Sequence, residues 1–151
     1  MIKKMKKILI LPVLLFVLTL HGQEPVKWNF SVKKIADKTY ELHLTATVEN
    51  SWNIYSQLTP EGGPLPTNFF FTKNPMLDMI GEVKERGTRK KKYEKVFEVD
   101  VLYYKDEVDF VQTVKLKNNI KTTISGTLEY MACNNEQCLP PKAIPFSIPI
   151  Q

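Results

Sequence analysis

Very little in this sequence can hold a metal ion or build a nucleophilic active site. Its 151 residues include two histidines and two cysteines. His21 falls in an N-terminal stretch read below as a leader, which leaves His43 as the sole imidazole of the remaining chain. A structural zinc site takes four nitrogen or sulfur ligands, more than one histidine and two cysteines can supply. Met131 could in principle join two thiolates around Cu(I), a soft ion, although a methionine in that setting is more often packing or surface filler. The few serines have no histidine partner in context. Glu61-Gly62-Gly63-Pro64 reads as a turn rather than a phosphate cradle, because no helix pattern follows it. Neither a metal nor a bound cofactor is expected.

Long apolar runs are missing too, with one exception. Ile8 to Leu20 is apolar apart from Pro12 and Thr19, spans 13 residues, and follows Lys3, Lys4, Lys6 and Lys7. Crossing a bilayer takes about 20 residues, and a short apolar stretch behind a basic one is the pattern of an export signal. Residues 1–22 are therefore expected to be a signal peptide, with an uncleaved anchor as the alternative. Residues 23–151 would form one exported domain, periplasmic or otherwise extracytoplasmic, with no stable membrane insertion after cleavage. Four of the 21 basic residues leave with the leader, so 17 basic residues face 16 acidic ones. The basic character of the whole chain is then no argument for nucleic-acid binding. The cluster Arg89-Lys90-Lys91-Lys92 lacks interleaved stacking aromatics and reads as a solvated loop or a lysine-protected edge strand.

What remains is alternation. Tyr40, Leu42, Leu44, Ala46 and Val48 alternate with polar residues, the signature of a half-buried strand. The same period recurs at Trp28–Val32, Phe97–Tyr103, Ile124–Tyr130 and Ile144–Ile150. Pro145 and Pro149 cannot donate to a central ladder, so the last of these is expected at a sheet edge. Shorter candidates are Trp52–Tyr55, Asn68–Thr72, Met79–Lys84 and Phe110–Leu116. The pattern predicts an all-β two-sheet sandwich of about eight or nine strands, without the immunoglobulin hallmark of cysteines on two distant strands. Ser56 to Pro66 is a loop within it.

The two cysteines, Cys133 and Cys138, lie in the stretch YMACNNEQCLPP (Tyr130–Pro141). In an exported chain such a pair is either a staple or a working dithiol. As a staple it closes a six-residue loop, worth only ~2 kcal/mol on the chain-entropy model. Pro140-Pro141 stiffens the exit of that loop, and its polar interior suits access by a partner thiolate. Lys142 is the nearest cation in sequence and Glu136 opposes it, so little thiolate is expected at neutral pH in the free protein.

YMACNNEQCLPP followed by the alternating strand AIPFSIPI, together with SWNIYSQ (Ser51–Gln57), resembles the N-terminal periplasmic domain of the transmembrane disulfide reductase DsbD. The likeness runs over essentially all of the chain after the leader. It implies an immunoglobulin-like sandwich with one redox-active pair, taking electrons from a thioredoxin-like donor and reducing other extracytoplasmic thiol proteins. By position, Cys138 would form the mixed disulfide and Cys133 would resolve it. The family's cap loop corresponds to Tyr93-Glu94-Lys95-Val96-Phe97, which makes Tyr93 or Phe97 the expected shield. The family's reductase continues into a membrane domain and a thioredoxin-like domain, whereas this chain stops at Gln151. Thioredoxin-like proteins or domains and a membrane electron-transfer protein are therefore the expected partners. The rival expectation is a secreted β-sandwich binding module whose disulfide is purely structural.

Overall fold

The computed structural model describes residues 24–95 and 97–151, so the expected leader lies outside the described residues. Among them are eleven strands and no helix: β1 (Val26–Ala36), β2 (Thr39–Val48), β3 (Asn53–Tyr55), β4 (Asn68–Phe71), β5 (Leu77–Gly87), β6 (Lys90–Glu94), β7 (Val99–Tyr104), β8 (Glu107–Leu116), β9 (Thr122–Tyr130), β10 (Ala132–Cys133) and β11 (Lys142–Ile150). They form three antiparallel sheets, ordered β1-β2-β8-β5, β10-β3-β7-β6 and β11-β9-β4. The chain passes from β9 through Met131 into β10, and both smaller sheets turn one face toward the first. The architecture is the expected immunoglobulin-like one. The strand count exceeds the expectation because β10 is too short to show a period and β6 is the lysine cluster, here an edge strand.

Alternation places the core. Tyr40, Leu42, Leu44, Ala46 and Val48 of β2 are buried, and the residues between them face outward. They meet Phe110 and Val114 of β8, Ile124 and Leu128 of β9, and Phe146 and Ile150 of β11. Trp28 of β1 bridges the sheets, its ring centroid 5.9 Å from Phe110 and 5.4 Å from Tyr130. Each such aromatic pair adds roughly 0.5–1.5 kcal/mol beyond the area it buries. Ile54, Tyr104 and Ala132 carry the second sheet into this same core.

β11 is an edge strand, as its prolines require. Pro145 stands opposite Thr127 and Pro149 opposite Thr123, in register with β9 alone. The alternation of Tyr40–Val48 leaves His43 among the outward residues of the strand. It does lie on the outer face of β2, but its Nδ1 is 2.7 Å from Asp109 Oδ2 and its side chain is only 17% exposed. Cross-strand pairing with β8 brings that carboxylate over it.

One polar group fastens the second sheet to the first. Register slips in β5 between Ile80 and Lys84, where Gly81 takes a left-handed φ of 69° open to glycine. Beyond the bulge, Glu85 accepts hydrogen bonds from Ser56 Oγ (2.7 Å), the Gln57 amide (2.7 Å) and Tyr104 OH (2.7 Å). Three donors and the nearby Arg89 guanidinium satisfy a carboxylate that is only 7% exposed. The exit of β3 is thereby fixed, and with it the start of the Ser56–Pro66 loop.

Candidate redox site and its relatives

The outer face of the second sheet is a small separate cluster. Directly opposed residues of antiparallel strands share a face, so Cys133, opposite Asn53, shares one with Tyr55, Tyr103 and Val101. Tyr55, Val101 and Cys133 are buried together, with Val99, Tyr103 and Met131 packed around them. Met131 is therefore packing beside the buried sulfur rather than surface filler. The Ser56–Pro66 loop folds onto this cluster where Gly63 meets it. A Cβ at Gly63 would stand 3.1 Å from Val99 Cγ2, so even an alanine would force a shift.

Cys133 and Cys138 are joined by a disulfide, with Cα atoms 4.0 Å apart. Cys133 is 2% exposed, while Cys138 is exposed. Backbone bonds bracket the loop between them: Asn134 N–H to Gln137 O at 2.9 Å and Leu139 N–H to Ala132 O at 2.9 Å. Inside it, the Asn134 Oδ1 accepts from the amides of Glu136 and Gln137, both at 2.8 Å. This is an Asx-type turn, in which a side chain stands in for a missing backbone acceptor. The loop is thus held by four hydrogen bonds in addition to the sulfur bond.

A cleft of ≈ 270 Å³ opens over the pair, lined by Glu94, Phe97 and the whole loop from Cys133 to Cys138. Phe97 reaches it from the β6–β7 connection, which is tightened by a hydrogen bond from Phe97 N–H to Glu94 O at 3.2 Å and by Glu98 in a left-handed φ of 56°. Tyr93 does not line the cleft. It stands opposite Asp100, on the other face of β6 from Glu94, and is 58% exposed. The structure thus brings Cys133, Cys138 and Phe97 together and leaves Tyr93 apart. A larger groove of ≈ 430 Å³ beside β4 and β5 is lined by Phe71, Leu77 and Met79 among others and carries no thiol, carboxylate or imidazole.

Charge around the pair differs from the expectation. Carboxylates line the cleft, Glu94 and Glu136, and no lysine does. Lys142, nearest in sequence, is instead bound to Glu24, which raises its pKa through that hydrogen bond. Glu94 is itself paired with Lys92 at 2.9 Å. Beneath Cys133, burial pushes the Tyr55 hydroxyl up to about 12; a hydrogen bond from Asn53 Nδ2 at 3.2 Å lowers it and Glu94 raises it further. Tyr55 and Asn53 were not among the expected site residues. Both lie in SWNIYSQ, one of the stretches that carry the resemblance, but only the long-range pairing of β3 with β10 sets them beside the sulfur.

Comparison with known proteins agrees with this geometry. Among curated protein sequences none matches the chain. Among solved structures, the N-terminal periplasmic domain of ScsB from Proteus mirabilis is similar with a TM-score of 0.59 at 16% identity, covering 88% of this chain. The chain spans about half of that relative's length, 49%. The reduced DsbD N-terminal domain of Neisseria meningitidis gives a TM-score of 0.52 at 15% identity, covering 80% of this chain and 83% of that one. The complex between the DsbD and PilB N-terminal domains of Neisseria meningitidis gives 0.51 at 13%, covering 81% and 80%. At such identities these structures speak for the fold. The family model for the N-terminal part of the thiol:disulfide interchange protein DsbD matches residues 22–148, nearly all of the sequence, so the chain belongs to the family of DsbD N-terminal domains.

Proposed function

We propose that this domain is an extracytoplasmic thiol–disulfide exchange protein that carries two electrons at a time on Cys133 and Cys138. The observation that carries the reading is the unequal exposure of the two bonded cysteines, Cys138 exposed and Cys133 only 2% exposed. Exchange needs an attacking thiolate in line with the bond, and Cys138 is the sulfur that a partner can reach. A donor thiolate attacks Cys138 Sγ, the intramolecular bond breaks, and Cys133 leaves as a thiolate that takes up a proton. The donor's second thiol, once deprotonated, attacks its own sulfur in the mixed disulfide and releases Cys138. Two electrons have then passed to the pair, with one proton on Cys133 and Cys138 left as the thiolate. In the second half, the Cys138 thiolate attacks an acceptor's disulfide and Cys133 closes on Cys138 to release the reduced product.

Thioredoxin-like proteins or domains fit the donor and acceptor roles, and a membrane electron-transfer protein fits the role of ultimate source. One solved relative is a complex between the DsbD N-terminal domain and the PilB N-terminal domain. Residues 1–22 would export the chain; among the described residues no helix is long and apolar enough to cross a membrane. Phe97 is the residue we assign as shield of the pair, since it lines the cleft over the cysteines.

Trapping tests the reading. A Cys133→Ser variant, reduced and mixed with an oxidised thioredoxin-like protein, should accumulate a mixed disulfide through Cys138, and Cys138→Ser should accumulate none. A bond that stays closed against thioredoxin-type reductants in the native protein, with a potential below ~−300 mV, would leave a passive binding module with a structural staple.

A further inference from the structure

The face that carries Cys133 continues across the sheet into a group of lysines. Register places Lys90 opposite Tyr103 and Lys92 opposite Val101, on the same face as the buried sulfur. Lys105 follows Tyr104, which pairs with Ile54, so the ladder sets Lys105 beside Asn53, the partner of Cys133. Two inter-strand spacings, about 10 Å, then separate Lys105 from Cys133. The ammonium groups of Lys92 and Lys105 stand 5.3 and 6.0 Å from the centre of the Tyr103 ring. Lys92 is neutralised by Glu94. Lys90 and Lys105 are exposed and make no ion pair among the described residues. The acid of the cysteine loop, Glu136, lies at the other end of the site with Cys138.

The site is therefore electrically lopsided, with a carboxylate at the reactive sulfur and free ammonium groups roughly 10–15 Å away across the sheet. A standard interface of about 800 Å² per partner is some 30 Å across and covers both ends. We infer that Lys90 and Lys105, flanking Tyr103, form a docking rim for a folded thiol–disulfide partner with carboxylates set roughly 10–15 Å to one side of its reactive sulfur. The inference rests on the exchange function proposed above and adds to it the charge pattern of the partner. A basic rim within about a Debye length of the docked carboxylates raises the encounter rate and fixes the orientation in which Cys138 is presented. Of the two rim lysines, Lys105 has its ammonium over the Tyr103 ring, which limits the entropy it loses on docking.

The test uses two surface variants of thioredoxin, one with glutamates and one with lysines added roughly 10–15 Å to one side of its reactive sulfur, and stopped-flow rates of disulfide reduction. At low ionic strength the acidic variant should react roughly tenfold faster than the basic one, and 0.5 M salt should remove the difference. K90E/K105E should erase or reverse the preference while its rate with dithiothreitol, which has no charge, stays that of the unaltered protein. Equal rates for the two thioredoxins at low salt, with dithiothreitol reduction intact, would overturn the rim and leave the exchange function standing. A bond opened by neither thioredoxin nor dithiothreitol would overturn both.

Discussion

At the scale of single residues, the site depends on which side chain stands over the sulfurs. Phe97 lines the cleft and is half-buried, whereas Tyr93, four positions earlier, points from the opposite face of its strand. Removing the ring at 97 should open the disulfide to small reductants. We expect Phe97→Ala to be reduced by dithiothreitol roughly fivefold faster, and Tyr93→Ala at the unaltered rate. Monitoring free thiol over time decides it, and a faster Tyr93 variant would transfer the shielding role. The sequence left both aromatics open because alternation ran unbroken from Phe97 to Tyr103. The strand begins two residues later, at Val99, because Glu98 takes a left-handed conformation that interrupts regular pairing.

At the scale of elements, the alternating strands were legible and the cysteine loop was only partly so. β2, β9 and β11 fall where the period placed them, because each turns its apolar face toward the core. The two prolines also placed β11 at an edge correctly. Short pieces such as β10 and the residues beneath Cys133 depend on pairing between distant segments, which no local pattern encodes. Asn134 did carry a signal, an asparagine opening a polar turn, and its role follows from the two amides it holds. Those bonds do not involve sulfur, so they persist when the pair is reduced and keep the thiols near each other. Asn134→Ala should therefore lower the equilibrium constant for closing the disulfide against dithiothreitol by roughly fivefold, about 1 kcal/mol. Asn134→Asp, which retains the acceptor oxygen, should restore it. Equal constants for all three proteins would mean that the backbone bonds suffice.

At the scale of the whole molecule, the buried tyrosines set an alkaline limit. Burial raises the hydroxyl of Tyr55 from the ordinary 10.0 to about 12, and burial likewise raises Tyr104 and Tyr130. The unfolded chain gives up these protons near 10, so above that pH it binds fewer protons than the native state. The stabilisation is complete below pH 10 and declines as pH climbs toward 12. Titration should show part of the tyrosinate absorbance at 295 nm appearing together with loss of the β-sheet circular dichroism signal. Full ionisation with the sheet signal unchanged would contradict the burial of these three rings.

If exchange runs as proposed, the unequal placement of the two cysteines also governs traffic. One outward-facing atom is a single berth, and whoever delivers electrons must vacate it before whoever collects them can arrive. A carrier built this way works by strict alternation, like a turnstile. An excess of either visitor would slow the flow by occupying the only entrance.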